Sequence, residues 1–210
     1  LSDESSDIFS KKIVNKVMIA IVEYGAGNIF SLSRAVERAG GSLVVTGDRD
    51  VIARASHVIL PGVGDAGRVM EQLRVRGLLP FLSELTVPLL GICVGMQVMC
   101  SYCEEGNSAG MSLFSARVNR LKGDDVKIPH MGWNRISYLK GPLFEDIPED
   151  EWFYFVHSYA PSITDETSAI SSHGERFSAA LARDNFFGTQ FHPEKSGEAG
   201  ERVLRNFISI

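Results

Sequence analysis

Val87-Pro88-Leu89-Leu90-Gly91-Ile92-Cys93-Val94-Gly95-Met96-Gln97 is the stretch on which the reading of the fold turns. Residues 87–92 are a short apolar run, the pattern of a parallel strand covered on both faces. A helix is expected from 94 to 103. Between them stands Gly-x-Cys-x-Gly, which bends a strand sharply into a helix and leaves little room for a Cβ beside the cysteine. A sulfur at a helix start meets unpaired N–H groups and the positive end of the dipole, and both favour the nucleophilic thiolate. The bland reading is a small buried cysteine between packing glycines. The strand-turn-helix placement favours the nucleophile.

The same alternation precedes this stretch. Residues 17–22 are apolar, Tyr24-Gly25-Ala26-Gly27-Asn28 turns the chain, and Ile29, Leu32, Ala35, Val36 and Ala39 recur at helical spacing before Gly40-Gly41. Residues 43–46 and 57–60 read as further strands. Pro61-Gly62-Val63-Gly64 then leads into a helix at 66–74. These units predict an α/β fold with a mainly parallel sheet, flanking helices and a C-terminal set of antiparallel strands. That last set is expected at 115–121, 134–138, 152–156, 178–182 and 186–191, where Gly, Pro, Asn and Asp break the sequence. A helix at 197–208 closes the chain. Residues 1–17, mixed in charge and without an apolar core, are expected to be a leader or tag, disordered or loosely attached, and 18–210 a single domain.

Lys plus Arg number 21 against 26 Asp plus Glu, a net charge of −5 in 210 residues. That balance repels nucleic acid and anionic membranes. No apolar run reaches the roughly 18 residues of a membrane span. Three cysteines cannot build a disulfide framework, and an odd count suits a reducing, cytoplasmic setting.

A thiolate nucleophile needs a proton shuttle. Of the five histidines, His192 stands in Gln190-Phe191-His192-Pro193-Glu194, just past an apolar strand. If Pro193 holds the segment extended, Glu194 projects to the same side and reaches one imidazole nitrogen while the other faces the sulfur. Cys93, His192 and Glu194 then form a nucleophile, a shuttle and an orienting carboxylate. Acyl transfer also requires oxyanion donors. The backbone N–H groups of Val94 and, from the glycine-flanked loop, Val63 are the candidates, and the glycines allow the Val63 peptide to turn either way.

These motifs resemble those of the class I, or triad, glutamine amidotransferases, and within that family the glutaminase subunits of imidazole glycerol phosphate synthases of histidine biosynthesis. The likeness rests on Tyr24 to Asn28, Leu60 to Gly64, Gly91 to Gln97, Pro129-His130-Met131-Gly132-Trp133-Asn134, Tyr154 to Tyr159 and Gln190 to Gly197. The resemblance implies a flavodoxin-like amidotransferase fold without cofactor or metal. It implies that Cys93 attacks the carboxamide of glutamine, that His192 protonates the departing ammonia, and that water then hydrolyses the thioester. Gly62, Gln97, His157, Ser158 and Tyr159 would hold the substrate. The ammonia would pass to a (β/α)8-barrel cyclase in a heterodimer, with Asn28, Pro129, His130, Met131, Gly132, Trp133, Asn134 and Lys195 at the partner face. The alternatives are the glutaminase of another complex, such as pyridoxal phosphate synthase, or a non-catalytic amidotransferase-like scaffold.

Three features are decoys. Gly62-Val63-Gly64-Asp65-Ala66-Gly67 satisfies the dinucleotide fingerprint, but no acid follows at the end of the next strand. Cys100-Ser101-Tyr102-Cys103 has no second ligand pair for zinc, and both cysteines are expected on one buried helix face. The acids from Glu145 to Glu151 read as a solvated turn.

Overall fold

The chain runs β1 (Met18–Val22), α1 (Ile29–Arg38), β2 (Ser42–Thr46), α2 (Arg49–Ile52), β3 (His57–Leu60), α3 (Ala66–Val75), α4 (Leu78–Ser83), β4 (Leu89–Ile92), α5 (Val94–Met99), β5 (Tyr102–Cys103), β6 (Ser108–Ala109), β7 (Arg117–Arg120), β8 (His130–Arg135), β9 (Trp152–His157), β10 (Tyr159–Pro161), β11 (Thr167–His173), β12 (Glu175–Arg183), β13 (Phe186–Thr189) and α6 (Gly197–Ile208). The computed structural model describes residues 18–25 and 28–210. The expected leader at 1–17, and Ala26 and Gly27 of the glycine turn, lie outside the described residues.

Seven of these strands make the main sheet in the order β11-β12-β13-β4-β3-β1-β2, with β4 at its centre. β3 and β4 are buried at every residue, as is β1 after Met18, because helices cover both faces of a parallel sheet. β2 is only half-buried, being the edge. α1 turns Leu32, Ala35 and Val36 inward, and Asn28 caps it by accepting from the Ser31 N–H at 3.4 Å. α6 buries Val203, Leu204 and Phe207. Among the described residues no helix is long and apolar enough to cross a membrane.

The mainly parallel sheet with antiparallel C-terminal strands matches the expectation, with local differences. β13 pairs antiparallel with β12 but parallel with β4, so it joins the two halves of the sheet. The helix after Cys93 stops at Met99 rather than at 103. The returning segment takes the carbonyls a longer helix would use: Met111 N–H donates to Val98 O (2.7 Å), Leu113 N–H to Met99 O (2.8 Å) and Ser112 N–H to Cys100 O (3.1 Å). Cys100 and Cys103 are therefore buried in the core, but not on one helix face; Cys103 lies in β5. The strand expected at 134–138 starts earlier, as β8, and forms a hairpin with β9 that sets His130 opposite His157. Gly62 to Gly67 ends in a helix cap, the Arg68 N–H donating to Asp65 Oδ1 at 2.8 Å.

Candidate active site

Cys93 holds φ +54° and ψ −112°, a conformation that costs an L residue about 1–3 kcal/mol. The surroundings enforce it. A Cβ on Gly95 would lie 2.0 Å from Leu60 O, and one on Gly91 would lie 2.7 Å from Met96 N. Only glycine lets the end of β4, the start of α5 and the end of β3 approach this closely. The Cys93 N–H donates to Thr189 O at 2.7 Å, and its carbonyl accepts from the Gln97 N–H at 3.0 Å.

His192 is delivered from the neighbouring strand, just beyond β13, which pairs parallel with β4. Its backbone N–H donates to Tyr154 O at 2.9 Å, and its carbonyl accepts from Lys195 N–H and Ser196 Oγ. Nδ1 lies 2.8 Å from Glu194 Oε1, with both side chains 4% exposed. Glu194 does not get there along an extended strand. Pro193–Lys195 is a 3-10 turn that brings the carboxylate back onto the ring. Burial alone would lower the His192 pKa. Its interactions with the Cys93 sulfur and the Glu194 carboxylate outweigh that and lift it to about 10, so the ring is an imidazolium near neutrality. Its Nε2 is buried and has no hydrogen-bond partner among the described residues.

These groups open onto a cavity of about 260 Å³ lined by Val63, Gly64, Cys93, Val94, Gln97, Glu105, Pro129, Val156, His157, Ser158, Tyr159 and His192. Gly62, expected against the substrate, is not in that wall. A Cβ there would sit 2.1 Å from Gly95 N, so its smallness serves the packing of the loop on the elbow. Tyr24 holds the base of this loop, its buried hydroxyl donating to Pro61 O at 2.5 Å. Val63 and Gly64 also line a second cavity of about 310 Å³ with Tyr24, Gly25, Asp65, Arg68, Val69 and Gln72. The loop is thus a thin partition with space on both sides.

Hydrogen-bond directions restrict the polar groups in the wall. Gln97 Nε2 donates to Tyr159 O (2.9 Å) and Gln190 Oε1 (3.0 Å), which uses both its hydrogens and leaves only Oε1 for a ligand. His157 Nδ1 meets Tyr159 O at 2.9 Å and Nε2 meets His130 Nδ1 at 2.9 Å, so neither ring nitrogen is free. His157 lies in the cavity wall with both ring nitrogens engaged, so its ring meets a ligand there by packing. Ser158 and Tyr159 remain in the wall beside it.

Sequence reasoning misses Glu105. Its signal, a glutamate before Gly106 at the end of the elbow unit, is too common to select. In the structure Glu105 Oε2 accepts from the Ala66 N–H at 3.0 Å and places a carboxylate on the cavity wall. Burial raises its pKa, the Ala66 N–H opposes the rise, and Asp65 adds to it.

The residues expected at a partner face divide. Met131 and Trp133 are 63% and 52% exposed, while His130 is buried behind them. Trp133 meets Tyr154 edge-on at 6.2 Å, and Lys195 Nζ lies 5.6 Å from the Tyr154 ring. Asn134 Nδ2 is turned to His130 Nε2 (3.2 Å) and Ser172 O (2.9 Å). Gly132 lies between the exposed pair at φ +129°, and Pro129 belongs to the cavity wall. Asn28 is exposed at the start of α1, which packs against the turn carrying Lys195. Among the described residues no group of three or more His, Cys, Asp or Glu is placed to hold a metal ion.

Residues 20–210 match the family described as Glutamine amidotransferase class-I. The protein named Imidazole glycerol phosphate synthase subunit HisH from Bacteroides fragilis is 48% identical over 194 residues, 91% of this chain and 99% of that one. Its namesake from Haemophilus influenzae is 44% identical over 193 residues, 91% and 97% of the two chains. In fold, the chain is similar to the crystal structure of a GMP synthase protein from Thermoplasma acidophilum (TM-score 0.71, 19% identity, 92% and 93% covered). It is similar also to PurLQS from Thermotoga maritima (TM-score 0.70, 18% identity, 92% and 98% covered).

Proposed function

The chain belongs to the class-I glutamine amidotransferase family, and from that premise we propose that it is the glutaminase subunit of an imidazole glycerol phosphate synthase. It hydrolyses L-glutamine to L-glutamate and ammonia. The ammonia goes to a cyclase subunit that makes imidazole glycerol phosphate and aminoimidazole carboxamide ribotide. The high identity to relatives of that name, over nearly their whole length, favours this reading over the glutaminase of another complex. The observation that carries the chemistry is Cys93 on its strained elbow with the Glu194-bound imidazolium of His192 opening onto the same cavity.

Cys93 attacks as the thiolate. Its electron pair forms the C–S bond while the carbonyl pair moves to oxygen, where the N–H of Val94 and that of Val63 receive it. His192 gives its Nε2 proton to the departing nitrogen, the C–N bond breaks, and ammonia leaves. The neutral imidazole then takes a proton from water. The new C–O bond forms, the C–S bond breaks, and thiolate and imidazolium are restored. Glu194 holds the ring in orientation throughout. Glu105 supplies the counter-charge for the α-ammonium group of glutamine, and Gln97 Oε1 and Ser158 complete the polar wall.

Met131, Trp133 and Lys195 form the face toward a (β/α)8-barrel cyclase in a cytoplasmic heterodimer, with Asn28 beside it and Pro129 linking that face to the cavity. Glutamate release by the purified complex, compared with Cys93→Ala, tests the reading. Release at the wild-type rate by the Ala variant would overturn it.

A further inference from the structure

Gln190 is fully buried, and its side-chain amide bridges Gln97 and the nucleophile Cys93. Its Nε2 is 3.5 Å from Cys93 Sγ, and its Oε1 accepts from Gln97 Nε2 at 3.0 Å. The orientation of both amides follows from one fixed point. Tyr159 O can only accept, so the group that Gln97 turns toward it is the NH2. The second hydrogen of that NH2 requires an oxygen from Gln190. The Gln190 NH2 is thereby left facing the sulfur. The chain of donors runs one way, from Gln97 to Gln190 to Cys93, and it ends on the reacting atom.

We propose that Gln190 is a catalytic residue of the glutaminase reaction, its amide N–H receiving the Cys93 sulfur as the leaving anion when the glutamyl thioester is hydrolysed. The proposal rests on the glutaminase reading above. The reasoning concerns which donors remain at each step. During hydrolysis water adds to the thioester carbonyl and gives its proton to His192, the C–S bond breaks, and the electron pair returns to sulfur. At that moment His192 is occupied with the water proton and begins the step as an acceptor, so it cannot also stabilise the emerging thiolate from the outset. The Gln190 N–H is uncharged, takes no part in proton transfer and is held in place by Gln97. A donor fixed on an atom that gains charge in the transition state accelerates that step. In acylation the same bond is made to a sulfur that is losing charge, so it gives no comparable help. Loss of the donor therefore acts on thioester hydrolysis.

The test uses the complex with its cyclase. Steady-state glutamate release gives kcat and kcat/KM, and acid quenching followed by intact-mass measurement gives the fraction of chain held as glutamyl thioester. Gln190→Met keeps length and volume without a donor. Gln190→Glu keeps the acceptor for Gln97 and replaces the donor by a carboxylate. Both variants should lose about tenfold or more in kcat, retain most of kcat/KM, and accumulate thioester that wild type does not. Wild-type kcat in either folded variant overturns the proposal. So does an equal fall in kcat and kcat/KM without thioester, which is what a merely structural glutamine would give. If the Met variant does not fold, the Glu variant decides on the same readouts. An inactive wild-type complex would instead count against the glutaminase reading itself.

Discussion

His130 Nδ1 lies 2.9 Å from His157 Nε2, and the proton between them belongs to His130. The far nitrogen of His157 faces Tyr159 O, which only accepts, so His157 carries its proton on Nδ1 and accepts at Nε2. His130 must then donate from Nδ1 and accept at Nε2, where Asn134 Nδ2 supplies the hydrogen. Both rings are neutral, with no lone pair or N–H of either unassigned. Burial lowers the His157 pKa to about 3 and the His130 pKa to about 4.

Their pH effect has a definite sign. The unfolded chain binds these protons near pH 6.5 and the folded chain only near 3 and 4, so stability present above 6.5 is lost as pH falls below it. Each ring contributes a slope of up to about 1.4 kcal/mol per pH unit. His192 acts oppositely: its folded value is raised to about 10, so its contribution is complete below 6.5 and is lost as pH rises toward 10. Urea midpoints should peak near neutrality and fall on both sides. His130→Leu should flatten the acid limb and cost about 1–3 kcal/mol at pH 7 by orphaning His157 Nε2. His130→Gln, which can both donate and accept, should recover much of that loss.

Cys93→Ala should abolish glutamate release and keep the fold, since the backbone bonds of residue 93 do not involve sulfur. Cys93→Gly should be more stable than Cys93→Ala by about 1 kcal/mol, because φ +54° is strained for alanine and free for glycine. Thermal unfolding of the two variants measures the difference. Equal midpoints would remove the strain argument.

Gly95→Ala should be far more damaging than its single added methyl suggests. The new Cβ would meet Leu60 O at 2.0 Å and Pro61 C at 3.2 Å, both backbone. Neither β3 nor α5 can withdraw without disturbing the elbow. The expected cost is about 3 kcal/mol or more, with loss of activity. A soluble, active variant with an unchanged unfolding midpoint would show that this approach is softer than the distances imply.

The sheet and the elbow were legible because their signals are local: apolar runs of strand length, glycines at a sharp turn, and a helix after it. Hydrogen bonds between distant segments leave no such trace. Nothing in residues 94–103 announces that 110–114 will take the carbonyls of Val98, Met99 and Cys100 and end the helix at Met99. His157 has the composition of a ligand-binding histidine, and only its pairing across the hairpin with His130 reveals that both nitrogens are occupied. Glu105 is drawn into the cavity wall by the N-terminus of α3, nearly forty positions away in sequence. Of the residues expected at the partner face, Met131 and Trp133 are outward, as alternation along a strand predicts once the strand's true start is known.

Glu105→Gln should separate binding from chemistry. Glutamine at 105 can still accept from the Ala66 N–H, so the α3 cap survives. It cannot balance the ammonium charge of the substrate. KM for glutamine should rise about tenfold with kcat little changed, as expected when a ground-state and transition-state contact is lost together. A fall in kcat at constant KM would move Glu105 from binding to catalysis.

The partition formed by Val63 and Gly64 should make the isolated chain a slow glutaminase. Gly64 holds φ +88°, and a Cβ there would find no atom within 4 Å. Cavities of about 260 and 310 Å³ flank the loop. The Val63 peptide can therefore present its N–H to the oxyanion or turn it away without displacing the core. A partner that binds the inward form better by about 1.4 kcal/mol shifts the ratio of the two forms tenfold. Glutamate release should accordingly rise about tenfold or more when cyclase and its nucleotide substrate are added. Alkylation of Cys93 by iodoacetamide needs no oxyanion hole and should change much less. If both rates rise together, the partner acts on the sulfur rather than on the peptide. If neither rises, the loop does not gate the reaction.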